Sequence, residues 1–201
     1  MPYDIKDIEL ASKGDLSIKW VEQHMPVLMN IRERFAEEKP FEGTTFGVSL
    51  HIEAKTAALI KTLQIGGAEL AVTGSNPLST KDEIAAALAN EGINIYAWRG
   101  ESNEDYHNNI ERVLEYEPTI FIDDGADLIS ALHSGDYDFI SKVRGGAEET
   151  TTGVNRLVAM EEKGDLEIPI VAVNDTPAKK LFDNRFGTGE STINAIMSIT
   201  N

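Results

Sequence analysis

Apolar residues recur along the chain in two different patterns. Over residues 8–39 they follow helical spacing, as at Ile18, Val21 and Met25, which predicts an N-terminal helical segment that Pro26 kinks or divides. From residue 46 onward, short apolar runs typical of buried strands alternate with longer amphipathic stretches. The predicted strands cover residues 46–51, 68–73, 93–98, 119–122 and 168–173, with a further short strand over 137–143 that leads to Gly145-Gly146.

Helical stretches separate these predicted strands. Ser79 or Thr80 can cap one of them, because a hydroxyl there precedes acidic residues in a first turn. The predicted helices cover residues 54–64, 80–90, 102–116, a stretch that ends near 133, 149–163, 177–183 and 190–199. Since strands and helices alternate five or more times through short connections, the order predicts an α/β fold, a parallel sheet with helices on both faces.

Composition narrows the class of protein. The 201 residues are 41% hydrophobic and 26% charged, as in globular domains. Acidic residues outnumber basic ones 34 to 18, and the formal net charge of −16 disfavours nucleic acid and anionic membrane as partners. The absence of cysteine excludes a disulfide scaffold, a thiolate zinc site and a cysteine nucleophile. We expect a cytoplasmic protein, because no basic segment leads into an apolar run at the start and no apolar stretch approaches about 18 residues.

Familiar ligand-binding motifs are absent from the sequence. No G-x-G-x-x-G motif follows a predicted strand, and no G-x-x-x-x-G-K-[ST] loop occurs. The four histidines lie far apart, so we expect no metal site. Because ligands of open parallel sheets bind beyond the carboxyl ends of the strands, the polar residues that follow strands are the candidates. These are His51, Ser75-Asn76, Asp123-Asp124 and Asn174-Asp175.

Two of these segments carry groups for proton transfer. His51 is either an acid/base catalyst, since imidazole exchanges protons near neutral pH, or a hydrogen-bonded polar residue at a strand end. Asp123 and Asp124 occupy alternate faces of a strand end, so one is expected to enter the cleft while the other caps the next helix. The alternative for this pair is a helix cap next to a solvated acid.

Two further segments carry hydroxyls, acids and a lysine. Glu148–Gly153 lies at a predicted helix start, where capping explains one or two of its polar residues and a sugar or an amide could bind the others. Lys179 and Asp183 are four residues apart on one helical face. They form either a surface ion pair or a base and a carboxylate that face the cleft. Residue chemistry alone thus indicates a polyhydroxylated small molecule and proton transfer, without determining the reaction.

Taken in chain order, these motifs resemble one enzyme family over nearly the whole chain. They include Leu50-His51, Ser75-Asn76-Pro77-Leu78-Ser79-Thr80, Asp123-Asp124-Gly125-Ala126-Asp127-Leu128, Arg144-Gly145-Gly146, Glu148-Glu149-Thr150-Thr151-Thr152-Gly153, Lys179 and Phe182-Asp183-Asn184. The sequence is similar to the substrate-binding region of S-adenosylhomocysteine hydrolases. The resemblance implies a Rossmann-like or flavodoxin-like sheet, preceded by a helical segment. It also implies reversible cleavage of S-adenosylhomocysteine to homocysteine and adenosine, a reaction of one-carbon and methyl-cycle metabolism.

The family's chemistry, as the resemblance implies it, depends on a tightly bound NAD, one per subunit. The cofactor oxidises the ribose 3′-hydroxyl, which acidifies the C4′ proton; a base removes that proton, homocysteine leaves, water adds, and the hydride is returned. The resemblance makes His51, Asp124, Lys179 and Asp183 the catalytic residues. The residues that bind substrate would be Glu53, Lys55, Asp124, Glu149, Lys179 and Asp183, and those that touch NAD would be Thr150, Thr151, Thr152 and Asn184.

The sequence departs from the family pattern in two respects. Glu53 and Lys55 stand where better-known members place a threonine and a glutamate around adenine. Lys55 could donate to O6 of hypoxanthine, which makes S-inosylhomocysteine a candidate substrate, or it could simply pair with Glu53.

The family also continues into a cofactor domain and forms homo-oligomers. We therefore expect residues 1–201 to be the substrate-binding domain of a longer enzyme and to be inactive in isolation. The alternative is a stand-alone, non-catalytic nucleoside-binding module.

Overall fold

A seven-stranded, all-parallel sheet forms the centre of the computed structural model, which describes residues 3–200. The sheet order is β1-β4-β3-β2-β5-β6-β7. The strands are β1 (Tyr3–Asp4), β2 (Thr45–Leu50), β3 (Glu69–Gly74), β4 (Asn94–Tyr96), β5 (Ile120–Asp123), β6 (Gly145–Glu148) and β7 (Ile170–Ala172). The predicted α/β fold with a parallel sheet is confirmed.

The chain also forms α-helices between and after the strands. They are α1 (Ala11–Glu22), α2 (Pro26–Glu38), α3 (Ala54–Ile65), α4 (Asp82–Asn90), α5 (Asn103–Leu114), α6 (Asp127–Ser134), α7 (Thr151–Lys163) and α8 (Ser191–Thr200). One buried cluster joins α1, α3 and α4 to side chains such as Val48 and Ile95. A second cluster joins α5, α6 and α7 to Phe121 on the opposite face. The alternation of strand side chains thus divides the core into two layers.

Several predicted elements differ from the observed ones. The strand predicted over 137–143 is wrong, because Asp138–Lys142 forms a 3-10 turn that buries Phe139 and the strand begins only at Gly145. The glycines of β6 gave no apolar signal; they are required because a β-carbon at Gly145 or Gly146 would crowd Pro169 and Phe121. The last two predicted helices are not separate, since a π-helical segment, Lys179–Glu190, runs directly into α8. Strand β1 was not predicted.

The strand order places a ligand-binding crevice at the middle of the sheet. From β2 onward the chain first builds outward through β3 and β4, and then reverses to place β5, β6 and β7 on the other side of β2. This is the order of doubly wound, Rossmann-like sheets, whose ligands bind where the direction reverses. Here the reversal lies between the carboxyl ends of β2 and β5, which His51 and Asp124 directly follow.

Helices α1 and α4 approach each other closely enough to require a glycine. A β-carbon at Gly14 would overlap the backbone carbonyl of Glu83 and crowd the Ala87 methyl group. Both contacts are with atoms that cannot rotate away, and Ala87 is fully buried. The N-terminal helical segment is therefore fixed to the sheet layer through this contact.

We predict that Gly14→Ala destabilises the chain by about 1–3 kcal/mol, the usual cost of inserting a carbon into a packed interface. In an exposed helix interior the same change would stabilise by about 1 kcal/mol, so the sign of the effect reports the packing. Urea denaturation measures it, with the exposed Ser12→Ala on the same helix as the matched control. Equal or increased stability of Gly14→Ala would contradict the close α1–α4 packing.

Candidate active site

A histidine and a carboxylate meet at the reversal point of the sheet. His51 follows β2 and Asp124 follows β5, and Nε2 of the imidazole lies 3.4 Å from Oδ2 of Asp124. The histidine side chain is 53% exposed whereas that of Asp124 is 12% exposed, so the imidazole faces the cleft and the acid lies behind it. Ser79 places its hydroxyl oxygen 2.7 Å from His51 Nδ1, and the Ser75 hydroxyl donates to Asp124 Oδ2 at 3.3 Å.

Asp123 points away from this pair, into the protein. Its carboxylate accepts hydrogen bonds from the backbone N–H groups of Asp124 and Ile129, both at 2.9 Å, and so holds the start of α6. The side chain is fully buried. Burial, together with the nearby charge of Glu148, raises the pKa of Asp123 to about 7. Of the two adjacent acids, Asp124 is therefore the one that reaches the cleft.

Glu148 is a buried acid to which the sequence assigns no role of its own beyond membership in the Glu148–Gly153 segment. Its carboxylate accepts hydrogen bonds from the N–H groups of Gly125 (2.9 Å), Ala126 (3.0 Å) and Thr150 (2.9 Å). Ala126 adopts a left-handed conformation with a φ of 61°, as the turn after β5 requires. Gly153 leaves room for the acid, because a β-carbon there would overlap its oxygens. Burial raises the pKa of Glu148, although three N–H groups donate to it.

Lys179 occupies the centre of a second polar cluster at the same edge of the sheet. Its ammonium lies 3.1 Å from Glu149 Oε1, 3.1 Å from Asn174 Oδ1 and 3.7 Å from Asp183 Oδ2. The lysine side chain is only 11% exposed, and the Thr151 hydroxyl donates to the same amide oxygen at 3.1 Å. Two parts of the chain that are distant in sequence, the segment after β6 and the stretch that leads from β7 into the π-helical segment, thus place a lysine between two carboxylates.

The residues expected to touch NAD lie next to this cluster in sequence. Thr150 precedes α7 and its side chain makes no capping hydrogen bond, while Thr152 and Asn184 are exposed. Of these four side chains, only that of Thr151 forms a side-chain hydrogen bond, which it donates to the amide oxygen of Asn174. Hydroxyl and amide side chains of this kind match the hydroxyls and the carboxamide of the nicotinamide–ribose half of the cofactor, so the donor set fits that group.

Glu53 and Lys55 form an ion pair at the start of α3, with Lys55 Nζ 3.4 Å from Glu53 Oε1. The pairing that we considered as an alternative to base contact is therefore present. Lys55 remains 64% exposed, however, and ion pairs at the surface contribute only about 0–1 kcal/mol. The pair can open at little cost when a ligand offers a better partner.

A pyrophosphate would not fit the start of α3 at the reversal point. Dinucleotide-binding sheets place glycines there, which let phosphate oxygens reach the N–H groups of the helix. In this chain the position before α3 is Glu53, whose carboxylate would repel a phosphate. The crevice instead presents an imidazole, carboxylates, an ammonium and hydroxyls, which suit a neutral, hydroxyl-rich molecule. The fold and the site together define a doubly wound α/β protein that binds such a molecule.

Comparison with known proteins agrees with this class. A family model described as S-adenosyl-L-homocysteine hydrolase matches residues 2–141 and 136–201. The chain belongs to this family. It is 57% identical to the S-inosyl-L-homocysteine hydrolase of Methanopyrus kandleri over 99% of its own length and 47% of that protein. It is 54% identical to the protein of the same name in Methanocaldococcus jannaschii, over 99% of this chain and 48% of the relative.

Relatives with a different substrate in their name are almost as similar. The adenosylhomocysteinase of Sulfolobus acidocaldarius is 53% identical over the whole of this chain and 48% of that protein. The chain therefore spans about half the length of the curated relatives it matches.

Within residues 3–200, none of the helices has both the length and the apolar character needed to cross a bilayer. In that same part of the chain, no three His, Asp or Glu side chains converge as metal ligands would.

The raised pKa of Asp123 predicts how stability depends on pH. Because the folded chain holds the Asp123 proton up to a pH of about 7, whereas an unfolded chain releases it near pH 4, the free energy of unfolding should fall as pH rises through this interval. Asp123→Asn removes this titration and should flatten the decline. Urea denaturation at several pH values measures the effect, with the exposed Asp136→Asn as the control. Parallel curves for Asp123→Asn and the wild type would contradict the assignment.

Proposed function

We propose that this chain is the substrate-binding domain of an NAD-dependent hydrolase, which cleaves a nucleoside thioether of homocysteine to homocysteine and the nucleoside. The observation that carries the proposal is the pairing of two polar clusters at one edge of the sheet. The His51–Asp124 pair is built for proton transfer, and the Lys179 cluster is built to hold hydroxyls. Membership in the hydrolase family supports the proposal, because the substrate of such an enzyme has ribose hydroxyls to be bound and a reaction that requires proton transfer.

The Lys179 cluster would bind the ribose. Glu149 and Asp183 offer carboxylate oxygens that can accept hydrogen bonds from the 2′- and 3′-hydroxyls, and the nearly buried Lys179 can take the proton of the 3′-hydroxyl. NAD, when bound, would supply the reversible removal of hydride from the 3′ carbon. Thr150, Thr151, Thr152 and Asn184 would hold the cofactor from the substrate side.

The His51–Asp124 pair would serve the carbon–sulfur bond. Asp124 lies behind the imidazole and would act near C4′ and C5′ of the ribose. His51, half exposed to the cleft, would give a proton to the departing homocysteine sulfur and take one from the water that replaces it. Both steps need a group that exchanges protons near neutral pH, which imidazole does.

The cofactor would be bound largely outside this chain. Two features support this arrangement: the reversal point lacks the glycines of a dinucleotide site, and the matched relatives are about twice as long. We therefore propose that residues 1–201 act as one domain of a cytoplasmic homo-oligomeric enzyme of methyl-group metabolism, and that the chain alone does not turn over. Its partner is a small molecule rather than nucleic acid or membrane, in keeping with the net charge of −16.

The nucleobase is proposed to be hypoxanthine. The exposed ammonium of Lys55 can donate to the O6 carbonyl of hypoxanthine but cannot accept from the amino group of adenine. Relatives named for S-inosylhomocysteine are 57% and 54% identical to this chain, although relatives named for the adenosyl compound reach 53%. The lysine, rather than overall identity, is thus the argument for the inosyl substrate.

Thiol release tests the proposal. The native polypeptide, captured from its own cell extract with an antibody to this chain, should have a mass well above that of 201 residues and should release homocysteine from S-inosylhomocysteine faster than from S-adenosylhomocysteine. Lys55→Glu in the same polypeptide should reverse this order of substrates, because a carboxylate accepts from the adenine amino group.

Lys19→Glu, the same charge change on the exposed surface of α1, is the matched control and should leave the order unchanged. Equal rates with both compounds would overturn the base preference while leaving the hydrolase proposal intact. Nucleoside binding without any thiol release would instead support the non-catalytic binding module.

A further inference from the structure

Two serine hydroxyls converge on a single nitrogen of His51. The Ser79 oxygen lies 2.7 Å from Nδ1 and the Ser75 oxygen lies 3.3 Å from the same atom. An imidazole nitrogen can either donate or accept, and a hydroxyl can do both, so these distances alone leave the direction of the hydrogen bonds open. The other neighbours of the two serines decide it.

Each serine has a second partner that can only accept. The Ser79 hydroxyl donates to the backbone carbonyl oxygen of Asn76 at 3.1 Å, and the Ser75 hydroxyl donates to Asp124 Oδ2 at 3.3 Å. A hydroxyl has one proton, so the Ser79 oxygen turns a lone pair toward Nδ1, and the longer Ser75 contact is compatible with the same arrangement. The short hydrogen bonds are satisfied when Nδ1 carries the proton and donates to Ser79, and Nε2 then meets Asp124 at the longer distance of 3.4 Å without a proton of its own.

The position of Ser79 is set by its own turn rather than by the histidine. The Asn76 side chain accepts from the N–H of Leu78 at 2.9 Å, and the Asn76 carbonyl also accepts from the N–H of Ser79 at 3.2 Å. This Asn76–Ser79 turn therefore presents the serine oxygen to His51 as a fixed acceptor.

The opposite tautomer makes poorer hydrogen bonds. With the proton on Nε2, the ring would face Asp124 Oδ2 at 3.4 Å, which is longer than the usual range of about 2.7–3.2 Å. Ser79 would also have to give up its bond to the Asn76 carbonyl in order to donate to Nδ1. The Nδ1–H form keeps every short contact.

We infer that Ser79 is a positioning residue that fixes neutral His51 as its Nδ1–H tautomer and leaves Nε2 as the nitrogen that takes and gives the proton. The lone pair of Nε2 then lies beside Asp124, 3.4 Å from Oδ2. The catalytic use of Nε2 rests on the proposed function, whereas the tautomer itself does not. Ser79 acts through His51 and is not required to touch the substrate.

Nitrogen NMR of the chain labelled with 15N-histidine reads the tautomer directly. At about pH 9, where imidazole is neutral, His51 should show a protonated-type Nδ1 and an unprotonated-type Nε2. The other histidines provide an internal reference, because His24, His107 and His133 each place Nδ1 2.6–2.8 Å from a backbone carbonyl and so must carry the proton there. Loss of one set of signals in His51→Gln assigns the spectrum.

Ser79→Ala should shift the His51 population away from Nδ1–H and toward Nε2–H, the form that histidine prefers in water, without altering the other three histidines. Ser79→Thr keeps the hydroxyl and should preserve the wild-type pattern, as should Ser141→Ala, which removes an exposed hydroxyl elsewhere. A wild-type His51 with its proton on Nε2 would overturn the inference, and so would an unchanged tautomer in Ser79→Ala. If that variant does not fold, Ser79→Cys, a similar side chain with a weak acceptor, decides in its place.

Discussion

The candidate site depends on the buried carboxylate of Glu148. It accepts hydrogen bonds from the turn after β5 and from the segment after β6, and so joins the loop that carries Asp124 to the loop that carries Glu149. Removing this acceptor would leave one buried and two partly buried N–H groups without a partner, at up to about 1–3 kcal/mol each. Glu148 also explains three small residues around it. Gly125 and Ala126 form the turn above the acid with positive φ angles, and Gly153 leaves space beside it. The positions of both polar clusters thus depend on one side chain that faces neither of them.

Two buried acids at the base of the site keep their carboxylates out of the cleft. Asp123 and Glu148 are paired across β5 and β6, and each directs its oxygens to backbone N–H groups instead of toward the ligand. The acids that do face the cleft have cationic or hydroxyl partners, Asp124 beside His51 and Glu149 beside Lys179. The carboxylates that remain in the crevice therefore lie next to an imidazole, a hydroxyl or an ammonium.

The sequence predicted the parts of this arrangement that follow from local patterns. His51 and Asp124 follow recognisable apolar strands, and the alternation of side chains predicted that only one of Asp123 and Asp124 enters the cleft. The role of Glu148 could not be predicted, because it depends on the register that sets Asp123 opposite Glu148 across two strands. The position of β6 could not be predicted for a related reason. Its glycines are required by the close approach of Pro169 and Phe121, which are distant in sequence. Ser79 was a capping candidate from its neighbours, whereas its contact with His51 arises only when β2 and the loop after β3 lie side by side.

We propose that the crevice at the reversal point of the sheet binds a nucleoside thioether through both clusters together. The most direct measurement is a titration of the 15N-labelled chain with S-inosylhomocysteine, followed by backbone NMR. The shifted signals should be concentrated at His51, the Asn76–Ser79 turn, Asp124–Gly125, Glu149–Thr151 and Asn174–Lys179. Shifts confined to one cluster, or located on another face of the sheet, would contradict it.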